Sequence, residues 1–263
     1  MNIDIPIPHQ LFTAFNDVTF YDEPHKYYID GKELISVTTL IHRYQEEFDE
    51  KFWSEYKATQ HKISPNEVLR AWKHINKKGT IRGSAIHDYA ENLFQNKKFE
   101  YPKQLILEEF GYDPVQYTYD ICKKHVDSFY KLVQGVLIPI RMEMVVCDRE
   151  YLIGGMLDIL FYNVKSKEFE IWDWKTNKEF TKSQNDRHLI NDLFMIEDCD
   201  LELYSLQLEM YKQIIEKNVP IKLGQSHIVW FSHNNDTYEV IKTKDRNYHV
   251  KTILANRLLE LAA

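Results

Sequence analysis

The sequence predicts an α/β, or α+β, fold: a central mixed β-sheet flanked by helices, preceded by an N-terminal β-meander and a helical segment. Three observations carry this expectation. Residues 136–146 (VLIPIRMEMVV), 151–162 (YLIGGMLDILFY) and 168–176 (EFEIWDWKT) are strand-like runs rich in β-branched and aromatic side chains. Long stretches before them repeat their apolar residues with helical period. A further amphipathic stretch, LELYSLQLEMYKQIIEK, separates them from two more strand-like runs, QSHIVWFS and YEVIKT, so a helix is inserted between strands of the sheet.

The elements follow in order. VTFYD, KYYID and GKELIS, parted by turn signals at DEPH and DG, predict a small antiparallel meander. Ser36 is placed to cap a helix starting at VTTLIHRY, and helical period continues through EEFDEKFWSEYKATQ with Phe48, Phe52 and Trp53 on one side. In SPNEVLRAWKHINKKG, Ser64 is the cap, Pro65 takes the first position and Gly79 is the expected stop. Thr80 to Gln95 forms the next predicted helix, and Pro114 to Val133 another. A last helix is expected from Tyr248 to Leu261. Between Asn177 and Asp200 no period is evident, and so long a polar connection inside a domain points to function, such as an arch over a site. One domain is expected over 1–263, with 1–78 as an appendage and 79–263 as the core.

The composition, 44% hydrophobic and 28% charged, is that of a soluble globular chain, and no apolar run approaches the roughly 18 residues of a membrane span. The opening MNIDIPIPHQ lacks the pattern of a secretory signal, so a cytoplasmic setting and no membrane partner are expected. Cys122, Cys147 and Cys199 are too few and too scattered for a zinc knuckle or a four-cysteine iron–sulfur cluster. A net charge of −7 argues against a protein that coats nucleic acid by overall attraction but leaves room for local basic patches.

Chemistry is concentrated in a few places. On a strand, side chains alternate, so Asp173 and Lys175 share one face while Trp172 and Trp174 share the other. Asp158 and Asp173 lie on strands joined by a tight turn at NVKSKE, which can bring both carboxylates to one end of a hairpin. Two such acids repel unless a cation lies between them, and hard oxygen donors suit Mg²⁺ or Mn²⁺. Lys175 can then orient or deprotonate a water, or neutralise charge on a phosphate oxygen. The plainer reading of a bare D-x-K is an ion pair on a solvated face. His87, with Glu91 one turn later, can present an imidazole to a metal or be a satisfied helix histidine. Gln207 and Tyr211 are spaced to hydrogen-bond along one helix face. Glu143 is a further acid on the preceding strand. Lys77, Lys78 and Arg82 before His87, and Lys178, Lys182 and Arg187 after the D-x-K, are candidate phosphate contacts. Tyr89, Phe94 and Phe180 are candidates for stacking on unpaired bases.

Taken in order, RGSAIH, GGMLD, DWK and QLEMY resemble the motif series of the PD-(D/E)xK nuclease superfamily, specifically its RecB-type branch, across residues 80–215. Gly83 to His87, Gly155 to Asp158, Asp173 to Lys175 and Gln207 to Tyr211 each match one motif. FYDEPHKYYIDGKELISVTTLI and DCDLELYSLQLEMYK are similar to segments of phage-encoded RecB-type exonucleases, and more distantly the chain resembles the mitochondrial genome maintenance exonuclease. The resemblance implies a restriction-endonuclease-like core. It implies a metal held by His87, Asp158, Asp173 and the Trp174 carbonyl, with Lys175 in catalysis and Gln207 and Tyr211 supporting the site or touching the DNA backbone. The implied activity is divalent-metal-dependent DNA exonuclease, working on single-stranded or duplex ends in phage recombination or replication, in the host cytoplasm, beside a single-strand annealing protein. The alternatives are an inactive DNA-binding or protein-interaction module on the same fold, and a site-specific endonuclease.

Overall fold

A computed structural model describes residues 5–180 and 186–263. A short helix, α1 (Gln10–Thr13), leads into β1 (Thr19–Tyr21), β2 (Lys26–Ile29) and β3 (Lys32–Ser36), which pair antiparallel as the expected meander. The last residues of β3 also pair parallel with β5 (Ile153–Asn163), through Ile35 with Ile153 and Ser36 with Gly154. The meander is thereby hydrogen-bonded into the central sheet. Ser36 leaves the strand and caps α2 (Val37–His42), its Oγ accepting the Thr39 N–H at 3.0 Å.

Helical period from residue 37 onward does not produce one helix. Asp49 supplies a fresh cap, accepting the Phe52 N–H at 2.8 Å, and α3 (Glu50–His61) begins there. Ser64 and Glu67 form a full capping box for α4 (Pro65–Phe94), with Pro65 in the first turn. The expected stop at Gly79 is absent, and α4 runs unbroken for 30 residues. A glycine inside a helix costs only about 1 kcal/mol relative to alanine. It ends one when it turns left-handed, as Gly111 does at φ +74° after α5 (Lys103–Phe110), a helix the period did not reveal; Gly79 has no positive φ. Burial of Ile81, Ala85, Ile86 and Ala90 beyond Gly79 holds the helix on course.

The remaining elements are α6 (Gln116–Val133), β4 (Leu137–Asp148), β5, β6 (Glu168–Lys175), α7 (Asp200–Asn218), β7 (His227–Trp230), β8 (Glu239–Lys242) and α8 (Asn247–Ala262). The eight strands form one sheet in the order β1-β2-β3-β5-β6-β7-β8, with β4 paired to β5 off that path. It is mixed: β4-β5, β5-β6 and β7-β8 are antiparallel, whereas β3-β5 and β6-β7 are parallel. Helices α4 and α6 cover one face around Phe129, Phe161, Trp172 and Trp174. Helices α2, α7 and α8 cover the other around Leu157, Ile171, Leu206 and Ile228. This is the expected sheet flanked by helices, consistent with a restriction-endonuclease-like α+β fold. No helix among the described residues is long and apolar enough to cross a membrane.

One feature of the sheet positions the side chains of Asp158 and Asp173. On the side of β5 opposite β4, β6 pairs with residues 159–163 and β3 with residues 153–154. The stretch between, residues 155–158, has no strand beside it there. The sheet forks at that point, and side chains from both helical layers can meet in the gap.

Candidate active site

Extending the β5-β6 register by one step past the Ile159–Trp172 pair sets Asp158 opposite Asp173, at the mouth of the fork. Asp158 Oδ2 accepts the Trp174 N–H at 2.7 Å, and its Oδ1 lies 3.4 Å from His87 Nδ1. Lys175 forms an ion pair with Asp173 Oδ2, and that ammonium also lies 4.5 Å from the centroid of the Tyr204 ring. His87 comes from the α4 layer and Tyr204 from the α7 layer, and they meet here because the sheet is open.

The two adjacent glycines on β5 serve this assembly. A Cβ on Gly154 would stand 3.1 Å from both Tyr27 Cβ and Leu34 Cδ1 of the meander. One on Gly155 would stand 2.5 Å from Cε1 of the Tyr211 ring. Glycine, normally weakening in a strand, is required for these close approaches. Tyr211 is buried against β5, and its hydroxyl accepts a hydrogen bond from Gln207 Nε2 at 3.1 Å. The predicted Gln207–Tyr211 contact is therefore present, with both side chains buried.

Charge is tightly balanced around the fork. Burial opposes protonation of His87, but the Asp158 carboxylate outweighs it and raises the imidazole pKa. Burial would raise Asp158, yet His87, Lys175 and the Trp174 N–H lower it overall. For Asp173 burial prevails, reinforced by the charge of Asp158, and its pKa is pushed up to about 6 despite Lys175. Lys175 is penalised by burial, but Asp173 and Asp158 hold it firmly charged.

Other predicted residues fall around this centre. Glu143 sits on β4 between the residues paired with Ile159 and Leu157, hence beside Asp158, at φ +43°. Burial, with the charge of Asp158 adding to it, pushes its carboxyl up to about 8. Glu91 is turned along α4 to accept from Gln95 Nε2 at 2.6 Å. Arg82 is half-buried and donates to the Thr176 carbonyl at 2.9 Å. Lys78, Arg82 and Lys178 line one cleft of about 610 Å³ with Thr176 and His233. Lys77 is directed to Glu109, 3.2 Å away, and Arg187 to Asp198 at 3.8 Å. Lys182 lies outside the described residues.

The expected stacking residues are corrected. Phe180 is buried in the core, Phe94 stacks on Trp174 within the α4-α6 layer, and the Tyr89 hydroxyl is bound to Asp127. Their apolar faces were needed for packing. Conversely, Asp200 and Tyr204 were not foreseen. Asn177 Nδ2 donates to both, reaching the Tyr204 hydroxyl at 2.8 Å, and so ties the residue two after Lys175 to α7. The spacing of Asp200, Tyr204, Gln207 and Tyr211 carried the signal, since steps of four, three and four keep one helix face.

A divalent cation can be tested against these donors. The two carboxylates and a backbone carbonyl are hard oxygen donors of the type Mg²⁺ and Mn²⁺ prefer. The Trp174 N–H points to Asp158, and in a strand the C=O of a residue points to the same side, so the Trp174 carbonyl also faces the fork. Among the described residues no three His, Cys, Asp or Glu side chains are grouped so as to hold a metal ion, and the two acids rest against His87 and Lys175. The donors are of the type such an ion prefers, but they are not gathered around one point, and the Lys175 ammonium lies on the Asp173 oxygen.

No protein-family model and no curated protein sequence matches this chain. Among solved structures it is similar to a protein from Eubacterium rectale called "Putative exonuclease", at 10% identity and a TM-score of 0.41, over 69% of this chain. This chain spans 65% of the length of that protein. It is also similar to the protein SSO0001, at 12% identity and a TM-score of 0.27, over 70% of this chain and 88% of the other.

Proposed function

We propose that this chain is a divalent-metal-dependent deoxyribonuclease, an exonuclease hydrolysing phosphodiester bonds at DNA ends. The observation that carries the reading is the convergence of Asp158, Asp173, Lys175 and His87 at the fork of the sheet. Asp158, Asp173, the Trp174 carbonyl and His87 would hold the ion, which when bound supplies positive charge against the phosphate. Lys175, held charged, places an ammonium where negative charge grows on a phosphoryl oxygen. Tyr204 and Asp173 restrict the lysine side chain to that position. Gln207, by fixing the Tyr211 hydroxyl, and Tyr211, by filling the space over Gly155, keep Asp158 at the fork. Lys78 and Lys178 would meet backbone phosphates beside the site, and Arg82 braces the strand end through the Thr176 carbonyl.

The wider setting, phage recombination or replication beside an annealing protein, rests on the motif resemblance. A second reading, a non-cleaving DNA-binding module, draws support from the acids being already engaged by Lys175 and His87. End-labelled linear DNA incubated with Mg²⁺ or Mn²⁺ separates the two. The nuclease reading expects nucleotide release by the native chain, none by Lys175→Ala or Asp173→Asn, and an intact closed circle. Absence of cleavage of linear DNA by the native chain with either metal would refute it.

A further inference from the structure

Where the expected stacking residues proved to be core, another set of aromatics lies open. Helices α3 and α4 enclose a cleft of about 1290 Å³, walled by Phe48, Trp53, Tyr56 and Trp72. Phe48 is 55% exposed and Tyr56 46%, although both are large and apolar enough for a core. Phe48 meets Trp72 edge to face at 5.7 Å, and Trp53 meets Tyr56 likewise at 5.7 Å, so the rings are held in place by one another.

Cations alternate with these rings. Lys57, Arg70 and Lys73 line the cleft, as does Arg187 with its Asp198 partner, against Glu50 of opposite sign. Lys57 also approaches the Tyr56 ring, at 5.9 Å. In a chain of net charge −7, this is a local basic surface. The cleft adjoins the smaller one beside the active site, since Ile75 and Asn76 line both. Along α4 the shared wall runs from Leu69 to Arg82, about 20 Å at 1.5 Å per residue. The smaller cleft ends at Thr176, next in the chain to Lys175, and at Arg82, five residues before His87.

We propose that the α3-α4 cleft binds unpaired single-stranded DNA, with bases on Trp53, Tyr56 and Trp72 and phosphates on Lys57, Arg70 and Lys73. The strand continues along α4 toward the fork. A duplex hides its base faces in its own stack and could meet only the cations, whereas rings set in a cleft reward bases that are free. The direction of the strand toward the fork rests on the nuclease reading; the binding itself does not.

The test uses the native chain in EDTA, where cleavage is not involved, with fluorescein-labelled oligo(dT) and a blunt duplex of equal length. Oligo(dT) should bind more tightly than the duplex and quench tryptophan fluorescence. Trp72→Ala and Tyr56→Ala should each weaken oligo(dT) binding roughly tenfold, the scale of losing one stacked base. Arg70→Glu with Lys73→Glu, at exposed positions that leave the rings untouched, should weaken it further and flatten the salt dependence. Three phosphate contacts give the native chain a log–log salt slope of about −2. Equal affinity for oligo(dT) and duplex, or binding unchanged in all the variants, overturns the proposal. No binding at all by folded protein also overturns it and leaves the cleft to a protein partner. Oligo(dT) held in this cleft by a chain that cleaves nothing would sink the nuclease reading alone, whereas cleavage without such binding would sink this one alone.

Discussion

Glu143→Gln should make the metal-free protein more stable at neutral pH. Glu143 sits beside Asp158 in a half-buried position, and burial first, then the charge of Asp158, raises its carboxyl from 4.5 to about 8. The folded chain therefore keeps a proton on Glu143 over a range where the unfolded chain has released it. The sign follows: stability from this group is fully present below pH 4.5 and falls as pH rises toward 8. From 4.5 to 7 is 2.5 pH units, and at about 1.4 kcal/mol per unit the loss is about 3 kcal/mol. Glutamine keeps the shape of the protonated acid and does not ionise, so it avoids that loss. For a chain of this size about 3 kcal/mol corresponds to a rise of about 6 to 12 °C in Tm. Thermal unfolding in EDTA at pH 4.5 and pH 7, native chain against Glu143→Gln, reads the difference. The gap should open at pH 7 and close at pH 4.5. A gap independent of pH, or a variant less stable at pH 7, would refute the reasoning.

Gly155→Ala places a methyl 2.5 Å from the Tyr211 ring and should cost about 1 to 3 kcal/mol by overpacking, measured by urea unfolding. On the nuclease reading, Mg²⁺ or Mn²⁺ at a hundred times its dissociation constant should stabilise the native chain by about 2.7 kcal/mol, and Asp158→Asn should abolish the shift in a thermal melt. Ser64→Ala removes half of the α4 capping box and should cost about 1 kcal/mol by urea unfolding.

The strand faces and the hairpin were legible in the sequence because their geometry is local. Alternation put Asp173 with Lys175, and counting from the NVKSKE turn brought Asp158 opposite Asp173. The capping residues at Ser36 and Ser64 were legible for the same reason. What stayed hidden depends on partners distant in sequence. Gly79 reads as a stop, yet tertiary burial of the following turn carries α4 through it. Phe94 and Phe48 look alike as letters, and only packing makes one a core ring and leaves the other open. The parallel step from β3 to β5, which creates the fork, has no signature in either segment alone. Asp200 and Tyr204 did carry a signal, the shared helix face with Gln207 and Tyr211, which becomes readable once Tyr211 is known to face β5.

The fork explains how acids and cations from separate layers come to rest against one another, and on the nuclease reading it leaves room there for a metal. An unbroken β5-β6 ladder would leave Asp158 and Asp173 facing each other across a closed pair, with no room for a third group. Parting the strands after Ile159 and Trp172 admits His87 from one helical layer and Lys175 with Tyr204 from the other. Each acid then has its own partner, but unequally: Asp158 is drawn below its ordinary pKa, whereas Asp173 remains above it at about 6. Asp173 is thus the less satisfied acid. On the nuclease reading a divalent ion gains most at Asp173, and the ammonium it displaces is already confined by Tyr204 to the neighbourhood where a phosphate would lie. Lys175 would then change partner from carboxylate to phosphate without leaving the fork. Tyr204→Leu, which keeps the apolar contact but removes the aromatic face and the Asn177 bond, should therefore lower kcat more than it weakens metal binding. Equal losses in the two would place Tyr204 in the metal site instead.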